Sequence, residues 1–255
     1  MNAYVNPFAG GEAVRSSDRI EAFIRSAQFD RPTLVLDREA VARQFRALKS
    51  GLGRAHIHYA VKANPAREVL EVLVNEGSHF DAASRGEVEL CLSLGAHPED
   101  ISFGNTVKRA SDIAFAFHAG VRLFAADAEE ELEKLAEHAP GAEVYIRLLV
   151  GATGADWPLS RKFGCSPEMA EPLMARAIEL GLKPVGLSFH VGSQTRRAEM
   201  WRETLDQVAA VWASARANGF ALNMINIGGG FPAFYGEAIE PASVYAAHVM
   251  QMVEA

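Results

Sequence analysis

The chain has 255 residues, 49% of them hydrophobic and 22% charged, with a formal net charge of −7. That is the composition of a soluble globular protein with material for a sizeable core, and its acidic balance argues against nucleic acid or an anionic membrane as a partner. No run approaches the roughly 18 apolar residues of a membrane span. The amino terminus lacks the basic start and apolar core of a signal peptide. Two distant cysteines, Cys91 and Cys165, make neither a disulfide framework nor a zinc site, so a reducing, cytoplasmic setting is expected.

In chain order, short apolar runs alternate with longer amphipathic ones. Strands are predicted at 33–37, 56–62, 79–84, 101–104, 123–127, 143–149, 185–192 and 224–230. They show little polar alternation, as parallel strands covered on both faces do. Ser84 with Glu87 forms a capping box that opens a helix ended by Gly95. Asp127 is expected to cap the next helix, and Ser166–Pro167 opens another that Gly181 closes and that Pro172 should kink or confine. Strand–helix repeats of this length imply right-handed crossovers and a parallel α/β sheet.

Polar residues fall at the carboxyl ends of five strands: Lys62, Asp81, Arg147, His190 with Ser193, and Gly228 to Gly230. An open sheet gathers ligand groups at one switch point, whereas a barrel collects them around one mouth, so a (β/α)8-type TIM barrel is expected. With 33–37 set aside as a lead-in, only seven barrel strands are found, and the helix beginning near Pro241 runs to Ala255. The expectation is a lead-in segment and strand over 1–37, then a barrel domain over 38–255 with seven of eight strands, the amino-terminal portion of something longer.

"HYAVKANP" places Lys62 at the end of an apolar run, sharing side-chain parity with Ala60, His58 and His56. A partly desolvated lysine can condense with a carbonyl, although a strand-end lysine can equally snorkel to solvent. "IGGGFP" lets backbone amides close on a phosphate or forms only a tight turn, and it is not the nicotinamide fingerprint. In "FHVGSQ", His190 could be a base, a ligand or a flat surface for a ring, and Ser193 suits a phosphate oxygen. No second His or Cys stands at ligand spacing, and the His56/His58 pair is a weak signal, so no metal is expected. Arg147 needs an anionic partner, either a ligand oxygen or a carboxylate such as Asp81. Glu87 already has a structural task as the box residue, and "LSRKFG" places Lys162 in a loop. An aldehyde for Lys62, a flat ring for His190 and a phosphate for Ser193 and the glycines together describe pyridoxal 5'-phosphate.

"YAVKAN", "FDAASRGE", "LSRKFG", "SFHVGSQ" and "IGGGFP" stand in the order seen in fold-type III pyridoxal-phosphate decarboxylases, and the chain resembles bacterial ornithine decarboxylases within that family. The resemblance implies an alanine-racemase-like barrel, decarboxylation of a basic amino acid, most simply L-ornithine to putrescine, and a homodimer. It implies that Lys62 is the Schiff-base lysine, that His190 stacks on the pyridine ring, and that Ser193, Gly228, Gly229 and Gly230 hold the phosphate. Arg147 and Asp81 would support the cofactor, Glu87 matches a functional position, and Lys162 one that pairs across the dimer. The family's eighth strand and carboxy-terminal β-domain do not follow Ala255, so this chain is expected to be inactive alone. Alternatives are lysine or diaminopimelate decarboxylation, a compact cofactor-carrying barrel, or a non-catalytic pyridoxal-phosphate-binding or regulatory homologue.

Overall fold

A computed structural model describes residues 16–150, 162–235 and 238–255. It holds seven parallel strands that pair in sequence order into one sheet. They are β1 His58–Ala60, β2 His79–Ala82, β3 Ile101–Phe103, β4 Leu123–Ala126, β5 Glu143–Arg147, β6 Lys183–Ser188 and β7 Met224–Asn226. Helices α3 Arg67–Asn75, α4 Arg85–Ser93, α5 Ala110–His118, α6 Glu129–His138, α7 Pro167–Glu179 and α8 Arg202–Ala217 fill the crossovers, preceded by α1 Ser16–Ser26 and α2 Arg38–Leu52 and followed by α9 Ala242–Val253. This is the expected α/β barrel-type architecture with seven strands.

Each strand is shorter than its apolar run, because the pleat ends where the chain must turn toward the site. Two expectations are corrected. The 33–37 run pairs with no strand: Leu34 is 94% exposed, and Asp37 serves as N-cap of α2, its side chain accepting from Glu39 N–H. Branched apolar residues give strand propensity, but a strand exists only against a partner ladder. Asp127 caps nothing; Ala128 holds the N-cap position of α6, and the Asp127 carboxylate accepts from Gly164 N–H at 2.7 Å. Ser84 does cap α4, accepting from Glu87 N–H at 3.3 Å, and Glu87 reaches back past it to Ala83 N–H at 2.7 Å. Pro172 sits within α7, and Pro167 occupies its first turn.

Strand residues divide cleanly between two faces. Phe80, Ala82, Ile101, Phe103, Phe124, Ala126, Val144, Ile146 and Leu187 face the helices and make the main apolar core. The alternate residues face inward and include Ala60, Asp81, Ser102, Ala125, Tyr145, Arg147, Gly186, Ser188 and Asn226. Behind the sheet the helix layer closes on itself where α9 packs on α2: a Cβ at Gly51 would collide with Ser243 O and lie 2.8 Å from Ala246 Cβ. A second anchor ties α9 to the loop after β6, where buried Trp201 Nε1–H donates to Tyr245 Oη at 2.9 Å and Tyr245 donates to Thr195 O.

Candidate active site

Lys62 leaves β1 on a single 3-10 turn, Val61–Ala63, so it stands just beyond the strand on which the sequence placed it. It is exposed, while Val61 beneath it is fully buried. The neighbouring strand brings Asp81 beside this end of β1, since Ala60 and Asp81 are register partners. Asp81 accepts from Ser102 Oγ at 2.9 Å. Burial raises its carboxyl to about 6, with Ser102, Lys62 and Arg147 pulling it back and Glu87 pushing with burial. Gly104 makes this placement possible, because any Cβ there would collide with the Asp81 carboxylate.

Across the mouth, the loop after β6 and the turn after β7 interlock. Gln194, in a left-handed conformation, exchanges two hydrogen bonds with Ala233, and Thr195 N–H donates to Gly230 O at 2.9 Å. Gly229 N–H donates to His190 Nδ1 at 3.2 Å, which fixes the ring with Nδ1 unprotonated. Burial lowers His190 to about 4, aided by the positive charges of Arg147 and Lys62. The imidazole is therefore neutral at pH 7. Gly228 and Gly230 have φ of 70° and 117°, a region open mainly to glycine. Two of the three amides are already used, Gly228 N–H by Asn226 Oδ1 at 2.8 Å and Gly229 N–H by His190. Gly230 N–H has no acceptor among the described residues.

The structure thus brings Lys62, Asp81, Arg147, His190 and the glycines to one end of the sheet. Arg147, the last residue of β5, acts electrostatically on both Asp81 and His190, and its guanidinium lies 5.3 Å from the Phe163 ring centroid. Ser193 is half-buried three residues after His190. Glu87 reaches the Asp81 field while holding Ala83 N–H. Lys162 is exposed, and the first half of "LSRKFG" lies outside the described residues.

Three polar residues escaped the sequence reading: Ser102, Tyr145 and Asn226. Each shares inward parity with a mouth residue two positions later, Gly104, Arg147 and Gly228. That spacing was the available signal.

At the opposite end of the sheet, His58 and His79 ring centroids lie 4.9 Å apart, and His56 Nδ1 is 3.2 Å from His79 Nε2. Among the described residues no His, Cys, Asp or Glu group could hold a metal ion. Burial, then His79 and His56, lowers His58 to about 4, with Phe80 O and Asp100 opposing. The unfolded chain protonates a histidine near 6.5, whereas the native chain resists protonation of His58 and His190 until about 4. Acid therefore favours unfolding across that window. Asp81 acts oppositely between 3.8 and about 6, because the native carboxyl takes its proton first. Two against one leaves a net loss on the order of 2 kcal/mol from pH 7 to pH 5. Thermal melting at both pH values should show it, and His58→Gln should flatten the profile. A wild-type acid profile in that variant would refute this assignment.

A model described as the pyridoxal-binding domain of pyridoxal-dependent decarboxylase matches residues 38–255. A lysine/ornithine decarboxylase of Selenomonas ruminantium is 37% identical over 201 residues, 79% of this chain and 51% of that protein. An ornithine decarboxylase of Caenorhabditis elegans is 34% identical over 204 residues, 80% of this chain and 48% of that protein. A solved lysine/ornithine decarboxylase of Vibrio vulnificus complexed with putrescine superposes with a TM-score of 0.83 at 35% identity, covering 93% of this chain and 62% of that one. The chain spans about half the length of the curated relatives it matches.

Proposed function

The chain belongs to the pyridoxal-dependent decarboxylase family, matching its pyridoxal-binding domain over residues 38–255, and on that premise we propose that its protein decarboxylates a basic amino acid, L-ornithine ahead of lysine, yielding putrescine. One observation carries the reading: the charges of Lys62 and Arg147 both act on Asp81 and on His190, and His190 is bonded to the triple-glycine turn. An amine, a cation, a carboxylate, a neutral imidazole and a bare backbone turn therefore face one mouth. The relatives' names support the substrate class.

These groups fit pyridoxal phosphate. Lys62 offers an exposed primary amine to an aldehyde, and Gly230 N–H and the Ser193 hydroxyl offer donors to a phosphate. A side chain at Gly229 would point toward the His190 ring, 3.4 Å from Cε1, so the glycine leaves that approach open. When bound, the cofactor supplies an electron sink for the pair left at the α-carbon as carbon dioxide departs. His190, neutral and fixed through Nδ1, presents a flat uncharged surface to a ring. Arg147 balances the Asp81 carboxylate and any anionic group entering the mouth. Asp81, near 6, holds negative charge beside Lys62 at pH 7 and can keep its amine oriented.

We take 38–255 as the cofactor-binding domain, the active assembly as a homodimer with Lys162 near the partner, and the compartment as the cytosol. The two free, buried thiols support the last. Carbon dioxide release from ornithine, lysine and diaminopimelate by the protein tests the substrate. Ornithine should have the highest kcat/KM; turnover of diaminopimelate alone would overturn the assignment.

A further inference from the structure

Two loops bring the phosphate donors to the mouth from different strands. Ser193 lies after β6, and Gly230, whose N–H has no acceptor among the described residues, lies after β7. One phosphate can use both donors readily only if the loops keep a fixed separation. The loop after β6 is held from behind, where Tyr245 of α9 donates to Thr195 O and accepts from buried Trp201 Nε1–H at 2.9 Å. The turn after β7 rests on the same group through Phe231, whose ring centroid lies 5.4 Å from that of Trp201 and 5.7 Å from that of Tyr245.

Beyond Phe231 the chain leaves the core, and Ala233 is exposed. Among the described residues both backbone groups of Ala233 bond to one side chain. Gln194 Nε2–H donates to Ala233 O at 3.1 Å, and Gln194 Oε1 accepts from Ala233 N–H at 2.6 Å. The carboxamide stands in for a peptide group and adds a rung beside the bond from Thr195 N–H to Gly230 O at 2.9 Å. Ser193 directly precedes Gln194, and Gly230 lies three residues before Ala233, so the rung links the segments that carry the two donors.

The backbone here points to the side chain as the reason for a glutamine. Gln194 has a φ of 57° and is the single non-glycine residue with positive φ among the described residues. Glycine, asparagine and aspartate enter that region readily, whereas a straight-chain residue does so at a cost. Glycine would relieve the backbone but has no carboxamide, and asparagine keeps the carboxamide on a stem one methylene shorter.

We propose that Gln194 is a positioning residue for the cofactor's phosphate: its carboxamide clamps the turn after β7 to the anchored loop after β6 and so sets Gly230 N–H against the Ser193 hydroxyl. The phosphate role rests on the cofactor reading above, whereas the clamp is a property of the folded chain alone. Without the carboxamide, the Phe231 packing and the Thr195–Gly230 bond still fold the turn. The two donors then sample a range of separations, and phosphate binding must first order them.

The test titrates the chain with pyridoxal phosphate and with 5'-deoxypyridoxal, which keeps the ring and aldehyde but has no phosphate. Gln194→Gly and Gln194→Asn should each weaken pyridoxal phosphate about 3–10-fold. Both should bind 5'-deoxypyridoxal within about twofold of the wild type, since no phosphate needs the clamp. Equal weakening of both ligands, or unchanged affinity for pyridoxal phosphate in both variants, overturns the proposal. Amide exchange of Thr195 reads the clamp without any ligand and should quicken about tenfold in either variant. Wild-type protection of Thr195 in the folded variants overturns the proposal as well. The asparagine variant, whose backbone accepts the same φ, supplies these readouts should the glycine variant fold poorly. Faster exchange in variants of a chain that captures neither ligand would uphold the clamp and overturn the cofactor reading.

Discussion

Replacing Lys62 with alanine should abolish covalent retention of pyridoxal phosphate while leaving the fold intact. The side chain is exposed on a 3-10 turn, so its removal should alter stability by no more than about 0.5 kcal/mol. The loss is therefore chemical: among the described residues no other amine stands at that position to capture the aldehyde. Turnover by the protein should fall by about 10³-fold or more. Lys62→Arg separates the two properties of the side chain, since it keeps the positive charge felt by Asp81 and His190 but cannot condense with a carbonyl. Visible absorbance of the chain with added cofactor, then borohydride fixation and peptide mapping, reads the result. The adduct should map to 58–65 in the wild type and be absent from both variants. An adduct of equal yield on any other lysine would sink the assignment.

The triple-glycine turn predicts a contrast within three adjacent positions. Gly228→Ala forces a side chain into a φ of 70° and against Phe189 O, and Gly230→Ala into a φ of 117° with Gly192 O 2.6 Å away. Each should destabilise the chain by about 2–5 kcal/mol, a fall in Tm of roughly 5–15 °C at this size. Gly229→Ala meets neither obstacle: its φ is not positive, and the nearest atom is His190 Cε1 at 3.4 Å. It should melt like the wild type yet bind pyridoxal phosphate about tenfold or more weakly, because its methyl stands where the cofactor must approach. Melting curves and cofactor titrations of the three variants decide the matter. Equal behaviour at all three positions would leave the turn a structural corner only.

Much of this organisation was legible in residue order. The seven strand runs, the Ser84 cap and the polar strand ends all follow from local chemistry, and the structure keeps them. Two of the departures share one cause, a partner distant in sequence. At 33–37 the strand pattern is present and the pairing strand is not. Asp127 has the chemistry of a cap, but Gly164 claims its carboxylate. Lys62 lies beyond its strand because the 3-10 turn begins at Val61. Tyr145 passes for another core residue in an apolar run, and only the inward parity it shares with Arg147 sets it apart.

The absent methyl at Gly51 has a bearing on how this molecule folds. It lies where α2 meets α9, so two helices far apart in sequence must dock on each other. Encounters across so long a loop are entropically slow. Early species should therefore hold the central strand–helix units while α2 and α9 still search for each other, and Gly51→Ala should prolong that search far more than it disturbs those units.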